Sequence, residues 1–282
     1  MRVFLIVLDG VGLGPPDAAD RSIHTLEHLA ATAGGLRVRT LERLGLGHLT
    51  GLPGVAAPVD PSGARGTLRP LASGADCRTG FHELAGVVLD ESSSEPAPPS
   101  GRPRPGREPE QPTLLERLHE RGVPVRTVGR VHDLFAGRGV RDAIATANDE
   151  ESAEVLLDLA RRRGDGLVFA EFLEPVRCGR GPDRVAFARA LERFDSRLDE
   201  FLGRIGDDDL CMVTADHGND PADGGTGATR ECVPLLIGGR RVRRNADIGV
   251  RRSFADVGAT LAELFGSRTL AHGASFLREI RG

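Results

Sequence analysis

Lysine is absent from this 282-residue chain, so all 37 basic side chains are arginine. Tryptophan and tyrosine are absent too, which removes the usual aromatic platforms for base stacking and carbohydrate binding. No apolar run approaches the roughly 18 residues that a membrane-spanning helix needs. The N-terminal run Val3–Leu8 stops at Asp9 with no small-residue cleavage site after it, too short a stretch for a signal peptide. Cysteines stand only at Cys77, Cys178, Cys211 and Cys232. Their spacing is unpaired and suggests no disulfide framework, so the cytoplasm is the expected compartment. A net charge of −4 and a pI near 6.1 argue against nucleic-acid and membrane-surface partners. With 39% apolar and 28% charged residues, the chain has the composition of a globular protein.

What is present is organised around Met212–Pro234, MVTADHGNDPADGGTGATRECVP. The apolar run Leu210–Val213 ends abruptly in Thr214-Ala215-Asp216-His217-Gly218. A buried strand that stops there sets a carboxylate and an imidazole side by side at the carboxyl edge of a sheet. Open α/β sheets carry their ligand sites at that edge. Asp216 and His217 offer one oxygen and one nitrogen donor, a pair suited to Zn²⁺ or Mn²⁺. The glycines beyond them let the backbone approach a ligand closely. A capped strand end with a solvated Asp and His is the competing reading.

The opposite end of the chain has a matching feature. Val3–Leu8 is continuous, apolar and rich in β-branched residues, the pattern of a fully buried parallel strand. It stops at Asp9-Gly10-Val11-Gly12-Leu13-Gly14. This glycine spacing fits neither a dinucleotide fingerprint nor a Walker loop, and a Walker loop needs a lysine. Asp9 itself, at the strand tip, is therefore the candidate functional group. Further on, Ser73–Gly86 reads as a tight loop entering a helix, whose positive end would favour an anion. Cys77 at that helix start would have its thiolate favoured, although a buried structural cysteine fits the same pattern.

The remaining chain alternates. Helical spacing covers Leu26–Ala31 and Leu36–Leu46, while Gly51–Pro70 reads as irregular. After Pro112, helices are expected over Thr113–Arg121, Ala153–Arg163, Arg184–Ile205 and Ala255–Phe265. Strands are expected at Val123–Val128, Gly166–Phe172, Leu210–Val213 and Val233–Ile237. Such alternation predicts a mostly parallel sheet with helices on both faces. Asp90–Pro112 (DESSSEPAPPSGRPRPGREPEQP) has no apolar periodicity and reads as an exposed flexible linker. The basic clusters Arg161–Arg163 and Arg240–Arg244 read as solvated helix faces and turns.

Several segments in order resemble one family: FLIVLDGVGLGPPDAAD, LERLGLGHL, SGADCRTGFHELAG, GRVHDLFAGRGV, TADHGNDP, GTGATRECVPLL, SFADVGATLAELFG and HGASFLREI. Together they resemble the phosphopentomutases of the alkaline-phosphatase superfamily of metalloenzymes. The resemblance implies an α/β alkaline-phosphatase-like core, two divalent metals, and a threonine that carries the transferred phosphate. It makes Asp9, Asp216 and His217 ligands of one metal, together with the nucleophile. Cys77 stands at the phosphorylated threonine's place, after Asp76.

The second metal's ligands depart from the family pattern. A family histidine shortly before Thr-Arg-Glu is Ala228 here. The family's Asp and His pair falls in Glu171–Arg180, where no such pair stands at that spacing and Glu174 and Cys178 are weak substitutes. The family's large cap domain is replaced by the linker at 90–112, leaving a single core domain over 1–282. Sulfatases of this superfamily convert a cysteine at this position into formylglycine, which needs a proline two residues on and an arginine four residues on. Here those residues are Thr79 and Phe81, which argues against that route.

The expected site is Asp9, Asp216, His217 and Cys77 around one divalent metal per chain, Zn²⁺ or Mn²⁺, with a thiolate favouring zinc. Cys77 serves as nucleophile or only as ligand. Arg78, Arg230 and His82 are candidates for gripping a small-molecule phosphate or related ester. The expected activity is metal-dependent ester hydrolysis or phosphotransfer. A non-catalytic metal-binding or regulatory descendant remains open as an alternative. A true mutase is less favoured, because it must shield its intermediate from water.

Overall fold

The computed structural model describes residues 1–15, 23–89, 109–175, 184–220 and 227–282. Its first strand, β1 (Arg2–Leu8), is buried along its whole length. Burial of that kind requires a neighbour on each edge and cover on each face. The edges are supplied in parallel by β5 (Gly166–Phe172) and β6 (Leu210–Thr214), with Val7 opposite both Glu171 and Thr214. The remaining strands are β2 (Ala64–Leu68), β3 (Val125–Val128), β4 (Asp142–Ile144), β7 (Val233–Gly238) and β8 (Ala246–Arg251). The eight-stranded sheet runs β4-β3-β5-β1-β6-β7-β2-β8. Only β7 opposes its neighbours β6 and β2; the other described pairings are parallel.

The helices fall into two groups. α7 (Arg184–Leu202) packs against α1 (Thr25–Ala33), α2 (Arg39–Leu44) and α6 (Asp149–Arg161). α8 (Ala255–Leu264) packs against α3 (Cys77–Leu84), α4 (Leu114–Glu120) and α9 (Leu277–Ile280). A short α5 (Val131–Leu134) follows β3. This is the expected arrangement, a mostly parallel sheet between helical layers. Phe4 and Phe169 fill the core from the two central strands, and Phe81 and Phe254 reach it from the helical side. Among the described residues no helix is long and apolar enough to cross a membrane.

Two local expectations are corrected. Gly51–Pro70 is not irregular throughout, since Ala64–Leu68 forms β2 between β7 and β8. No apolar alternation marks it, because Arg65 and Gly66 hold its middle. The Arg65 guanidinium is buried by bonding Asn245 Oδ1 at 2.9 Å, and a Cβ on Gly66 would lie 2.4 Å from Ile248. The helix expected over Leu36–Leu46 starts later, at Arg39, and stops before Gly45, whose φ is 114°. Its start is set from afar: Asp195 on α7 accepts from the Thr40 and Leu41 N–H groups at 3.0 and 2.8 Å. A cap supplied by another helix leaves no local signal.

Most of the Pro-rich segment at 90–112 lies outside the described residues. Its flanks meet: the Leu114 N–H donates to the Ala85 carbonyl at 2.8 Å.

Candidate metal centre

The tips of the central strands deliver the site. Asp9 follows β1, and Asp216 and His217 follow β6, so two segments far apart in sequence come together because their strands are neighbours. The N-terminus of α3 brings Cys77 in from the helical layer. One ligand atom from each of Asp9, Cys77, Asp216 and His217 lies within 4.8 Å of the others. Cys77 Sγ is 3.4 Å from Asp9 Oδ2 and 3.4 Å from His217 Nε2. His217 Nε2 is 3.2 Å from Asp9 Oδ1 and 3.5 Å from Asp216 Oδ2.

Second partners fix the orientation of these groups. A carbonyl can only accept, so the Nδ1–H of His217 donates to Gly218 O at 2.8 Å. That leaves Nε2 facing the carboxylates. The Gly10 N–H donates to Asp216 Oδ1 at 3.3 Å. Beyond their ion-pair contacts with His217, Asp9 Oδ1 and Asp216 Oδ2 are buried without a hydrogen-bond donor. Unpaired buried carboxylate oxygens are costly unless a cation meets them.

A four-coordinate Zn²⁺ with bonds of about 2.0–2.3 Å sets its donors about 3.3–3.7 Å apart. The separations of 3.2–3.5 Å here lie near that range, and the mixed O, N and S donor set suits zinc. The residues fit the metal.

Protons occupy this cluster when no cation does. Burial pushes Asp216 up to about 7. Burial would lower His217, but Asp216 and Asp9 outweigh it and push the imidazole up to about 10. Burial and the negative charges of Asp9, Asp216 and Glu171 push the Cys77 thiol well above its ordinary range, against a smaller pull from Arg130. In the metal-free protein Cys77 is thus a protonated thiol. A divalent cation would reverse that balance.

Helix α3 holds Cys77 in place by several devices. Asp76 caps it, accepting from Thr79 N at 3.0 Å and Thr79 Oγ1 at 2.7 Å, an N-cap worth about 1 kcal/mol. Phe81 stacks on Phe169 of β5 at 5.3 Å. Gly80 lets the helix lie against the Asp216 backbone, since a Cβ there would stand 2.1 Å from the Asp216 carbonyl oxygen.

The three arginine and histidine candidates separate. Arg230 is exposed and lines a small cavity of about 10 Å³ shared with Asp216 and His217. Arg78 is half-buried on the first turn of α3. His82 is buried, stacked on Phe135 at 4.7 Å, and its Nδ1–H donates to Arg78 O at 2.8 Å. Burial lowers it to about 4, so at neutral pH it is an uncharged core side chain. Glu174 does not join the centre. Its carboxylate bonds Arg193 of α7 at 2.7 Å. Cys178 lies outside the described residues.

Sequence reasoning gave no role to Arg130 and Glu171. Glu171, near the end of β5, is buried beside the centre. It accepts from Arg130 Nη2 at 2.9 Å, Nε at 3.2 Å and the backbone N–H at 3.3 Å. Arg130 Nη2 is also 3.6 Å from Asp9 Oδ2. Burial raises the Glu171 carboxyl, with the guanidinium opposing the rise. Both stand near the carboxyl ends of their strands, Glu171 just before the end of β5 and Arg130 just past β3, but nothing local marks them as neighbours of Asp9.

The model of the family described as the Metalloenzyme superfamily matches residues 1–269. A phosphopentomutase from Thermotoga petrophila is 31% identical, with 98% of each chain covered. That alignment spans 385 positions against 282 residues here, so over a hundred of the relative's positions have no counterpart. Among solved structures, the PH0037 protein from Pyrococcus horikoshii matches with a TM-score of 0.60 at 15% identity, over 96% of this chain and 98% of that one. A protein in the alkaline phosphatase superfamily from Vibrio parahaemolyticus matches with a TM-score of 0.59 at 14% identity, over 95% and 67%. At these identities the structural likeness is one of fold.

Proposed function

This chain belongs to the metalloenzyme superfamily, and from that premise we propose that it is a metal-dependent hydrolase or phosphotransferase acting on a small phosphate ester or related ester. Asp9, Asp216, His217 and Cys77 would hold one divalent cation, with zinc favoured by the thiolate. The observation that carries the reading is the pair of buried carboxylate oxygens, Asp9 Oδ1 and Asp216 Oδ2, that face His217 Nε2 with no hydrogen-bond donor, while Cys77 Sγ stands against the other Asp9 oxygen. A pure scaffold has no use for that arrangement. When bound, the cation would supply Lewis acidity and favour the Cys77 thiolate.

The chain's own residues would do the rest. The positive end of α3 would favour an anion beside Cys77. Arg230 lines the small cavity next to Asp216 and His217. If Cys77 attacks, an S–P bond forms as the ester O–P bond breaks and the departing oxygen takes a proton from solvent. Water or another acceptor then cleaves the S–P bond. His82 has no part in this reading, because it is neutral and packed in the core.

The mutase activity named for the Thermotoga relative fits less well. The positions missing from this chain we assign to the 90–112 region, whose flanks are joined by the Leu114–Ala85 hydrogen bond. An insertion there can be long or short without disturbing the sheet. A shorter one leaves less chain to shield an intermediate from water while it reorients. A second reading, a metal-binding protein without activity, is favoured by Ala228 and by the engagement of Glu174 with Arg193.

The test is elemental analysis of chelator-free protein beside Cys77→Ala, followed by a phosphatase and phosphotransferase screen. About one equivalent of metal that drops in the variant, with turnover lost in Cys77→Ala and Asp216→Asn, supports the enzyme. No metal after supplying Zn²⁺ and Mn²⁺ sinks it. One equivalent without turnover on any phosphate, sulfate or carboxylate ester favours the non-catalytic reading.

A further inference from the structure

We propose that Arg130 is the second cation of this centre, a covalently fixed positive charge that binds the substrate anion and whose pairing with Glu171 keeps a second divalent metal out. The inference rests on reading Asp9, Cys77, Asp216 and His217 as a metal centre.

The first observation is position. The Arg130 guanidinium grips Glu171 through Nη2 at 2.9 Å and Nε at 3.2 Å, and the same Nη2 stands 3.6 Å from Asp9 Oδ2. Asp9 thus faces His217 with one oxygen and Arg130 with the other. Glu171 and Asp9 Oδ2 are the carboxylate groups that a second metal beside the first would seek. Both already face a guanidinium, and a fork-shaped pairing of this kind is geometrically specific. A divalent ion could bind there only by displacing it.

The second observation is charge. Asp9, Asp216 and Glu171 are three buried carboxyl groups at one place. With all three ionised, a single divalent cation leaves them net negative, and a thiolate at Cys77 adds to the deficit. An anionic ester would then be repelled from the centre meant to receive it. Arg130 offsets one of these negative charges, enough with the cation to neutralise the three carboxylates, and it does so without a ligand set. The third observation is access. The Arg130 side chain is 28% exposed, whereas Glu171, Asp9 and Asp216 have almost no exposed side-chain surface. Among Arg130, Glu171, Asp9 and Asp216, Arg130 is therefore the side chain that a dissolved anion can approach.

A merely structural role, neutralising Glu171 so that β5 can bury it, predicts a different outcome, and the two can be separated. Removing Arg130 alone strands a buried carboxylate, so the paired change Arg130→Met with Glu171→Gln is needed beside Arg130→Met and Arg130→Lys. Each full-length protein is loaded with Zn²⁺ and dialysed. Metal content is then measured by elemental analysis, and binding of inorganic phosphate by calorimetry.

The expected result is one zinc equivalent in the wild type and in the double variant, with phosphate binding weakened at least tenfold in the double variant. Arg130→Lys, which keeps the charge but loses the fork, should fall between them. Arg130→Met should take up more than one equivalent, because Glu171 is released. Two equivalents in the wild type would overturn the proposal. So would phosphate affinity in the double variant within twofold of wild type. If these binding results hold and no ester is turned over, the assignment of Arg130 stands and only the hydrolase reading fails. If the wild type binds no zinc, the centre and this inference fall together.

Discussion

Cys77 Sγ lies 3.4 Å from His217 Nε2, although 140 residues separate them in the chain. One comes from the first turn of a helix and the other from the loop after a central strand, and neither carries its chemistry alone. Their approach is permitted by Gly80, one turn beyond Cys77, where the helix presses on the Asp216 carbonyl.

Replacing Cys77 with Ser should change metal preference more than the fold. A hydroxyl is a harder and far less acidic donor than a thiol, so zinc should lose at least tenfold in affinity while manganese loses less. Competition with a chromophoric chelator measures both ions. Equal losses for the two would place Cys77 outside the coordination set.

Metal affinity should rise steeply with pH. His217 is pushed up to about 10, Asp216 up to about 7, and the Cys77 thiol well above its ordinary range. Below these values the ligands carry protons that the metal must displace, so the bound state holds fewer protons than the free one. Binding therefore strengthens as pH rises from 6 to 8, by up to about tenfold per unit for each proton released. Calorimetry in buffers of different ionisation enthalpy counts those protons. A flat profile over this range would exclude His217 as a ligand.

Gly80→Ala should separate binding from folding. Its Cβ would lie 2.1 Å from the Asp216 carbonyl oxygen and 2.8 Å from the Asp216 Cβ, so α3 must move outward and carry Cys77 with it. Zinc affinity should fall at least tenfold while circular dichroism keeps the wild-type helical content. Unchanged affinity would mean that the helix start is not held to the strand tip through this contact.

Glu83→Ala should be costly for a reason unrelated to chemistry. Its buried carboxylate accepts from the Leu71, Ala72 and Phe254 N–H groups and from Ser253 Oγ, all at 2.8–2.9 Å. The loss would leave four donors to be satisfied elsewhere. A destabilisation of about 3 kcal/mol is expected, since each unsatisfied buried group costs about 1–3 kcal/mol and water entering the cavity recovers part of that. Chemical denaturation measures it. Zinc stoichiometry in the folded variant should stay at the wild-type value.

Glu83 is also instructive about legibility. It sits in the segment SGADCRTGFHELAG, where the eye is drawn to Cys77 and His82. The structure makes Glu83 the structural hub and His82 a neutral core residue stacked on Phe135. A buried histidine and a solvent-facing one look alike in a helix of eight residues, because burial is decided by whichever element packs over that face.

The sequence by itself determined the strand tips. A short, unbroken apolar run that stops at or just before a carboxylate reads as a buried parallel strand, and Asp9, Asp216 and His217 stand at the strand tips where that reading puts them. It also determined the alternation of the elements, because periodicity is a local property. Tertiary structure alone decided what stands beside those tips. The order β3-β5-β1-β6 brings Arg130 and Glu171 to Asp9, and strand order is fixed by packing between residues far apart in the chain. The irregular-looking β2 and the cap that Asp195 lends to α2 have the same origin. Where a partner comes from another part of the chain, no local pattern records it.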